Sequence, residues 1–155
     1  MSIFVKNEEL FSIVQKIFNE KIPFNKTLGM QVELLEDMRP VIRLEMRNDL
    51  VGHYLRGMLH GGVIASIIDV TGGLTAFLGV LEKSGNLQIG ESMELLPNLS
   101  TIDLRVDYLR PGLGHWFIAT GDVLRIGSKV AVTRIELHND ETILIAAGTG
   151  SYVIS

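Results

Sequence analysis

The sequence predicts an α+β fold in which a curved antiparallel sheet wraps around one long buried helix. Three observations carry this reading. The run from Gly61 to Glu82 is apolar on nearly every side; from Leu99 onward hydrophobicity alternates with a period of two; and turn-forming residues divide that second half into four short segments. A helix without a polar face belongs in a core, and strands with one dry face need something to cover it, so each satisfies the other.

Length and composition agree with one domain spanning residues 1–155. The chain is 46% hydrophobic and 21% charged, enough apolar material for a single core. The segment 1–22 reads as an amphipathic helix, with Leu10, Phe11, Val14, Ile17 and Phe18 at helical spacing, Asn7 as its N-cap and Pro23 closing it. Met30 to Glu36 and Val41 to Arg47 follow as a hairpin around Asp37-Met38-Arg39-Pro40. Asn48 to Leu59 is polar and glycine-containing and reads as a loop leading into His60-Gly61-Gly62.

The long helix comes next. Asp69, Gly72 and Gly73 in its middle oppose a membrane span, which leaves a core helix. Lys83 to Asn98 is irregular, with a short helical turn expected at Glu91 to Leu95, and suits a lid or an interface loop. Ile102, Leu104, Val106 and Tyr108 then form a dry face, against a wet face of Thr101, Asp103, Arg105 and Asp107. Pro111-Gly112, Ile126-Gly127-Ser128 and His138-Asn139-Asp140 supply turns between this strand and three more, Trp116 to Leu124, Val130 to Leu137 and Ile143 to Val153. An antiparallel meander of four consecutive strands is expected.

Composition also narrows the function. Cysteine is absent, so thiolate catalysis, disulfides and cysteine-held zinc are excluded. A formal net charge of -4 argues against bulk nucleic-acid binding. His53, His60, His115 and His138 show no ligand spacing on one element, apart from the His53/His60 loop pair, so no metal is expected. The N-terminal residues lack a basic-then-apolar layout, and a cytoplasmic protein without membrane insertion is expected. A mean hydropathy of +0.29 is high for a small chain and suggests apolar surface buried between subunits.

Asp69 is the anomaly, because a charge inside an apolar helix is costly unless it is paired or used. Ala65, Ser66, Gly72 and Gly73 lie three or four positions from it, with Gly62 and Ala76 beyond, and such a small-residue stripe suits either a helix–helix seam or a ligand path. At the helix start, the backbone N–H groups of Gly61, Gly62 and Val63 point outward from the positive end of the dipole and form a ready oxyanion site. Asp69, about two turns on, is expected beside a water attacking the carbonyl held there. His60, at that same positive end, reads as a hydrogen-bonding or orienting group rather than a base.

The run His60-Gly61-Gly62-Val63-Ile64-Ala65-Ser66-Ile67-Ile68-Asp69 resembles the signature of hotdog-fold thioesterases of the phenylacetate-degradation (PaaI-like) type. Thr101 to Gly112 looks like that family's third strand, Ala119 to Arg125 like its fourth, and with Pro23-Phe24-Asn25 and Gly29-Met30 the resemblance covers roughly residues 20 to 154. It implies hydrolysis of acyl-CoA thioesters with no metal or prosthetic group, coenzyme A entering as part of the substrate. Asp69 matches the family's general base or nucleophile, Gly61 the oxyanion donor, and Thr101 a hydroxyl that orients water or carboxylate. Many relatives carry Asn six residues before the His; here Tyr54 stands there, preceded by His53, so either His53 replaces the amide or the contact is missing. The family's sites form between subunits, which implies a homodimer, with a tetramer open. Arg110, Arg125, Ser128 and Lys129 are expected to hold the phosphates of coenzyme A, and an apolar tunnel favours fatty acyl chains. Two other readings share the fold: a hydratase of enoyl or hydroxyacyl thioesters, and a non-catalytic acyl-CoA-binding module.

Overall fold

The computed structural model describes residues 3–34, 39–85 and 98–155. Its N-terminal part is helix α1 (Ile3–Lys16), a single π-helical turn (Ile17–Lys21) and helix α2 (Pro23–Leu28). Leu10, Val14 and Phe18 are buried, as their spacing predicts. The start differs from expectation: Asn7 lies inside α1 instead of capping it. The first helical stretch ends at Lys21, just before Pro23 as expected, and Pro23 then opens α2, where its missing N–H costs nothing. The break falls at Ile22, extended at φ −89° and ψ 109°, the conformation a following proline favours.

The hairpin is present as β1 (Gln31–Leu34) and β2 (Pro40–Glu45). Residues 35–38, which hold the start of its expected turn, lie outside the described residues, as does 86–97 with the helical turn expected at Glu91 to Leu95. Asn48 to Leu59 is more ordered than a loop: a 3₁₀ turn (Asn48–Leu50) leads into a small two-stranded ribbon, β3 (Val51–His53) and β4 (Met58–Leu59). The central helix α3 (Gly61–Ser84) follows, and the second half folds as β5 (Ser100–Tyr108), β6 (Trp116–Ile126), β7 (Val130–Asn139) and β8 (Leu144–Val153).

These strands form one antiparallel sheet in the order β1-β2-β6-β7-β8-β5. The expected four-strand meander is therefore corrected: β6, β7 and β8 are sequential neighbours, but β5 pairs with β8 at the far edge. The connection through Pro111-Gly112 crosses from that edge to β6, and β2 takes the other side of β6.

α3 lies across the sheet. Ile64, Ile67, Ile68, Leu74 and Phe77 pack with Ile42, Phe117, Ile135 and Ile145 in one core, each such side chain contributing about 1.5–3 kcal/mol. α3 is long and apolar enough to cross a membrane, but 72% of its most apolar window is buried within the protein. Its buried hydroxyls cost little, because Thr71 donates to the carbonyl of Ile67 and Thr75 to that of Thr71, both at 2.7 Å.

Candidate active site

Two groups of residues stand at separate points along α3. The first is its N-terminus. His60 is the N-cap, with φ −63° and ψ 136°, and its Nδ1 accepts from the Gly62 N–H at 2.8 Å. The imidazole thus acts as a capping acceptor, in line with the orienting role expected of it. The Val63 N–H donates to the His60 carbonyl at 3.0 Å. Of the three amides expected to form an oxyanion site, those of Gly62 and Val63 are spent on the cap, and the Gly61 N–H alone has no partner among the described residues. Tyr108 braces this turn: its hydroxyl donates to the Gly61 carbonyl at 2.8 Å.

The second group surrounds Asp69, which is partly buried. Thr101 Oγ1 donates to Asp69 Oδ1 at 2.9 Å. Beneath it, Tyr152, 1% exposed, donates its hydroxyl to the Asp69 backbone carbonyl at 3.0 Å. Burial first, and then the Asp69 charge, push the Tyr152 phenol above its ordinary range, so it stays a donor. Thr101 reaches Asp69 through a bulge. Strict alternation puts Thr101 on the wet face, but the β5–β8 register shifts between Thr101 and Asp103, so Thr101 pairs with Tyr152 and shares its helix-facing side. Ile102 absorbs the irregularity and is left 55% exposed.

Tyr152 and Tyr108 were not identifiable as site residues from the sequence, because each reads as a strand aromatic. The sequence feature that Tyr152 explains is the glycine stripe. A Cβ on Gly72 would collide with the Tyr152 hydroxyl and come within 2.9 Å of Ile135 Cδ1. Gly72 and Ala76 are buried within the protein and Gly72 faces the sheet, so that part of the stripe seats the helix on Tyr152 instead of forming a helix–helix seam. Ala65 and Ser66, partly exposed beside Asp69, keep the other reading open.

Asp69 and Thr101 border a cavity of about 490 Å³. Its remaining lining is largely apolar, including Ile17, Phe18, Ile22 and Phe24 from the N-terminal segment, Val70, Gly73 and Leu74 from α3, and Leu99 before β5. Asn25 also lines it, 1% exposed, with Nδ2 donating to the Phe18 carbonyl at 3.1 Å and Oδ1 without a partner among the described residues.

The other expected residues do not converge on this point. Tyr54 is 85% exposed in the turn of the β3–β4 ribbon, and neither its side chain nor that of His53 bonds to Asp69 or Gly61. Arg110 lies just past the Tyr108 end of β5 and donates to the Leu144 carbonyl at 3.0 Å. Arg125, Ser128 and Lys129 border a separate cavity of about 330 Å³ beyond the opposite, Ser100 end of that strand. Eight residues of strand, about 27 Å, separate those ends, so these four residues are not one cluster within a chain. Asp69 and Gly61 are likewise apart: eight residues of helix rise about 12 Å, too far for both to serve one carbonyl from the same chain. No group of three His, Asp or Glu side chains able to hold a metal occurs among the described residues.

The model of the thioesterase superfamily matches residues 56–146. The chain belongs to the thioesterase superfamily. Its enzyme class, a thioester hydrolase, follows from that membership, and its architecture is the hotdog fold. Among curated relatives it is similar to the medium/long-chain acyl-CoA thioesterase YigI of Escherichia coli strain K12, 41% identical over 154 residues and covering 99% of each chain. Among solved structures it is similar to a thioesterase-superfamily-related protein from Shewanella oneidensis, at TM-score 0.91 and 40% identity, covering 99% of this chain and 100% of that one. The Bacillus halodurans protein BH2602, solved with CoA, shares the fold at TM-score 0.66 and 19% identity, covering 97% of this chain and 93% of that one.

Proposed function

We propose that this thioesterase hydrolyses medium- to long-chain fatty acyl-CoA at a site completed by a second copy of the chain. The observation that carries the reading is the Asp69–Thr101 pair on the wall of a largely apolar cavity of about 490 Å³. Such a cavity suits a fatty chain, and the carboxylate beside it suits attack on the adjoining thioester. The name of the 41%-identical YigI relative supports the same substrate class.

In the reaction the water oxygen bonds to the carbonyl carbon as Asp69 Oδ2 takes one of its protons. Thr101 holds the other carboxylate oxygen and so fixes the direction of Oδ2. Collapse of the tetrahedral intermediate breaks the carbon–sulfur bond, CoA leaves as the thiolate, and the proton passes to it, leaving the free acid. Asp69 acting as nucleophile gives the same products through an anhydride; solvent label in the Asp69 carboxylate after a single turnover in ¹⁸O-water arises only on that route, when water opens the anhydride at the Asp69 carbon.

The Gly61 N–H is the oxyanion donor of this reading, and the separation of about 12 Å along α3 supports its acting on the partner subunit's substrate. β5 offers a surface for that association: among the described residues its outer edge is unpaired, and Ile102, Tyr108 and Leu109 at this side of the sheet are at least half exposed. A dimer is the minimum unit, and pairing of dimers is compatible with it. In such an assembly the β3–β4 ribbon with His53 and Tyr54, and Arg110, belong to the Gly61 side of a site. Arg125, Ser128 and Lys129 are proposed to hold phosphates of coenzyme A; neither cation is ion-paired in the described residues. A CoA substrate also fits the expected cytoplasmic location.

The test is thiol release from acetyl-, hexanoyl-, lauroyl- and palmitoyl-CoA, with Asp69→Asn and Gly61→Pro in parallel. Proline suits position 61, since it is the first helical residue and His60 already has the conformation that precedes proline. Both variants are expected to lose at least 100-fold in turnover. Mixing and refolding the two in equal amounts should restore roughly a quarter of wild-type activity, because half of the dimers then carry one intact site. No restoration by mixing rejects the shared site, and unchanged hydrolysis by Asp69→Asn rejects the carboxylate assignment.

A further inference from the structure

Beyond the reaction itself, the cavity is built from two parts of the sequence. Asp69 and Thr101 belong to the stretch that matches the family model, whereas Ile17, Phe18, Ile22 and Phe24 come from the π-helical turn, the extended residue after it and α2, outside it. We infer that this N-terminal segment is the gauge that sets which acyl-chain lengths the enzyme accepts, a role that rests on the acyl-CoA reading above.

A gauge must be in the cavity, apolar and fixed. The four side chains meet the first two conditions. Phe18 is buried and Phe24 is 54% exposed, so the segment runs from a closed wall toward the solvent-open side. It is fixed by polar contacts at both ends. Asn19 Oδ1 accepts from the Val32 N–H at 2.7 Å, Gln15 Nε2 donates to the Val32 carbonyl at 2.7 Å, and Asn25 Nδ2 donates to the Phe18 carbonyl. The last bond satisfies a carbonyl within the π-helical turn. A π-turn widens the helix by one residue, and such turns recur where a helix is shaped for function. Here the turn carries Ile17 and Phe18, and α2 restarts at Pro23 to bring Phe24 and Asn25 onto the same cavity.

On the opposite side, Gly73 leaves a measured amount of space. A Cβ there would sit 3.5 Å from Tyr152 Cε1 and 3.8 Å from Leu99 Cδ2, ordinary contacts between two cavity-lining residues. Alanine at 73 therefore fits without displacing anything and takes volume from the chain. Alanine at Ile22, which is partly exposed, gives volume back with little demand on the core.

The experiment compares wild type, Gly73→Ala and Ile22→Ala on saturated acyl-CoA substrates in two-carbon steps from hexanoyl to stearoyl, reading kcat/KM by thiol release. A methyl group in an apolar pocket changes discrimination by about tenfold or more. Gly73→Ala is thus expected to lower kcat/KM for the longest accepted chains at least tenfold relative to hexanoyl-CoA, and Ile22→Ala to move the optimum to longer chains. Opposite shifts from the two variants support the gauge. If wild type turns over the series and both variants keep its length profile, the gauge is wrong while acyl-CoA hydrolysis stands. If wild type releases thiol from no member, the acyl-CoA reading itself has failed and takes the gauge with it.

Discussion

Two adjacent glycines in α3 should respond to the same substitution with opposite signs. Alanine is favoured over glycine in a helix by about 1 kcal/mol, and Gly73→Ala should realise most of that, because its Cβ meets nothing closer than 3.5 Å. At Gly72 the same methyl collides with the Tyr152 hydroxyl and lies 2.9 Å from both Tyr152 Cζ and Ile135 Cδ1. The ring has no route of retreat, since Gly150 already lacks a side chain to accommodate it from the strand below. Overpacking of this kind costs about 1–3 kcal/mol. Moving the phenol also breaks its bond to the Asp69 carbonyl and leaves a buried hydroxyl unpaired, a further cost of about 1–3 kcal/mol. After the helix-propensity gain, Gly72→Ala should be less stable by about 3 kcal/mol. For a chain of this length each kcal/mol moves Tm by about 2–4 °C, so the expected shifts are about 6–12 °C down for Gly72→Ala and about 1–4 °C up for Gly73→Ala. Thermal melts at one fixed protein concentration measure both, which holds any contribution from association constant. Equal stability of Gly72→Ala and wild type, or a comparable loss in both variants, would refute the argument that Tyr152 occupies the glycine notch.

Three further outcomes are expected. Thr101→Val removes the bond to Asp69 Oδ1 while keeping the side chain's shape, and should lower kcat by about 10- to 100-fold with little change in Tm; an unaltered kcat removes Thr101 from the site. Because burial and the Asp69 charge raise the folded-state pKa of Tyr152, the unfolded chain releases that proton first, so the stabilisation is intact below the ordinary tyrosine value of about 10 and is lost as pH rises above it. Tyr152→Phe should therefore be less stable than wild type near neutrality by about 1 kcal/mol and lose less stability between pH 9 and pH 11 (roughly the span around that value), as denaturant melts will show. Replacing Arg125 and Lys129 together by Glu should raise KM for acyl-CoA with kcat nearly unchanged, and the effect should shrink at high salt; an unchanged KM places the phosphates elsewhere.

The long helix was legible because Val63 through Leu81 leaves no polar face, and the second-half strands because their alternation and turns are regular. What the pattern could not give was the place of β5 in the sheet. Alternation defines a strand's faces but not its neighbours, and the long connection after Tyr108 permits either a hairpin to β6 or a crossing. The N-terminal helix was misread at Asn7, which lies inside α1, because an asparagine near a helix start is a cap only where the helix begins after it; its end before Pro23 was legible, but not the second helix that Pro23 opens. In the site, Asp69, Gly61 and His60 stood out as a charge, a small residue and a cap in an apolar context. Tyr108 and Tyr152 did not, since an aromatic residue ending a strand carries no sign of what its hydroxyl meets.

The bulge at Ile102 links the sheet to the chemistry. Thr101 and Tyr152 are register partners in β5 and β8, and both hold Asp69, one by its side chain and the other by its backbone carbonyl. Leu104, Val106 and Tyr108 face the helix with even spacing, so a regular strand would turn Thr101 to the opposite face. One extra residue lets the same strand pack Leu104 and Val106 against the core and still present a hydroxyl to the carboxylate at its start. Tyr108 uses the other end of that strand to brace the Gly61 turn. β5 therefore positions both halves of the proposed chemistry, Asp69 near its beginning and the Gly61 turn near its end. As the edge strand it also offers the unpaired surface for a second copy, so association and alignment of the two half-sites would depend on the same nine residues.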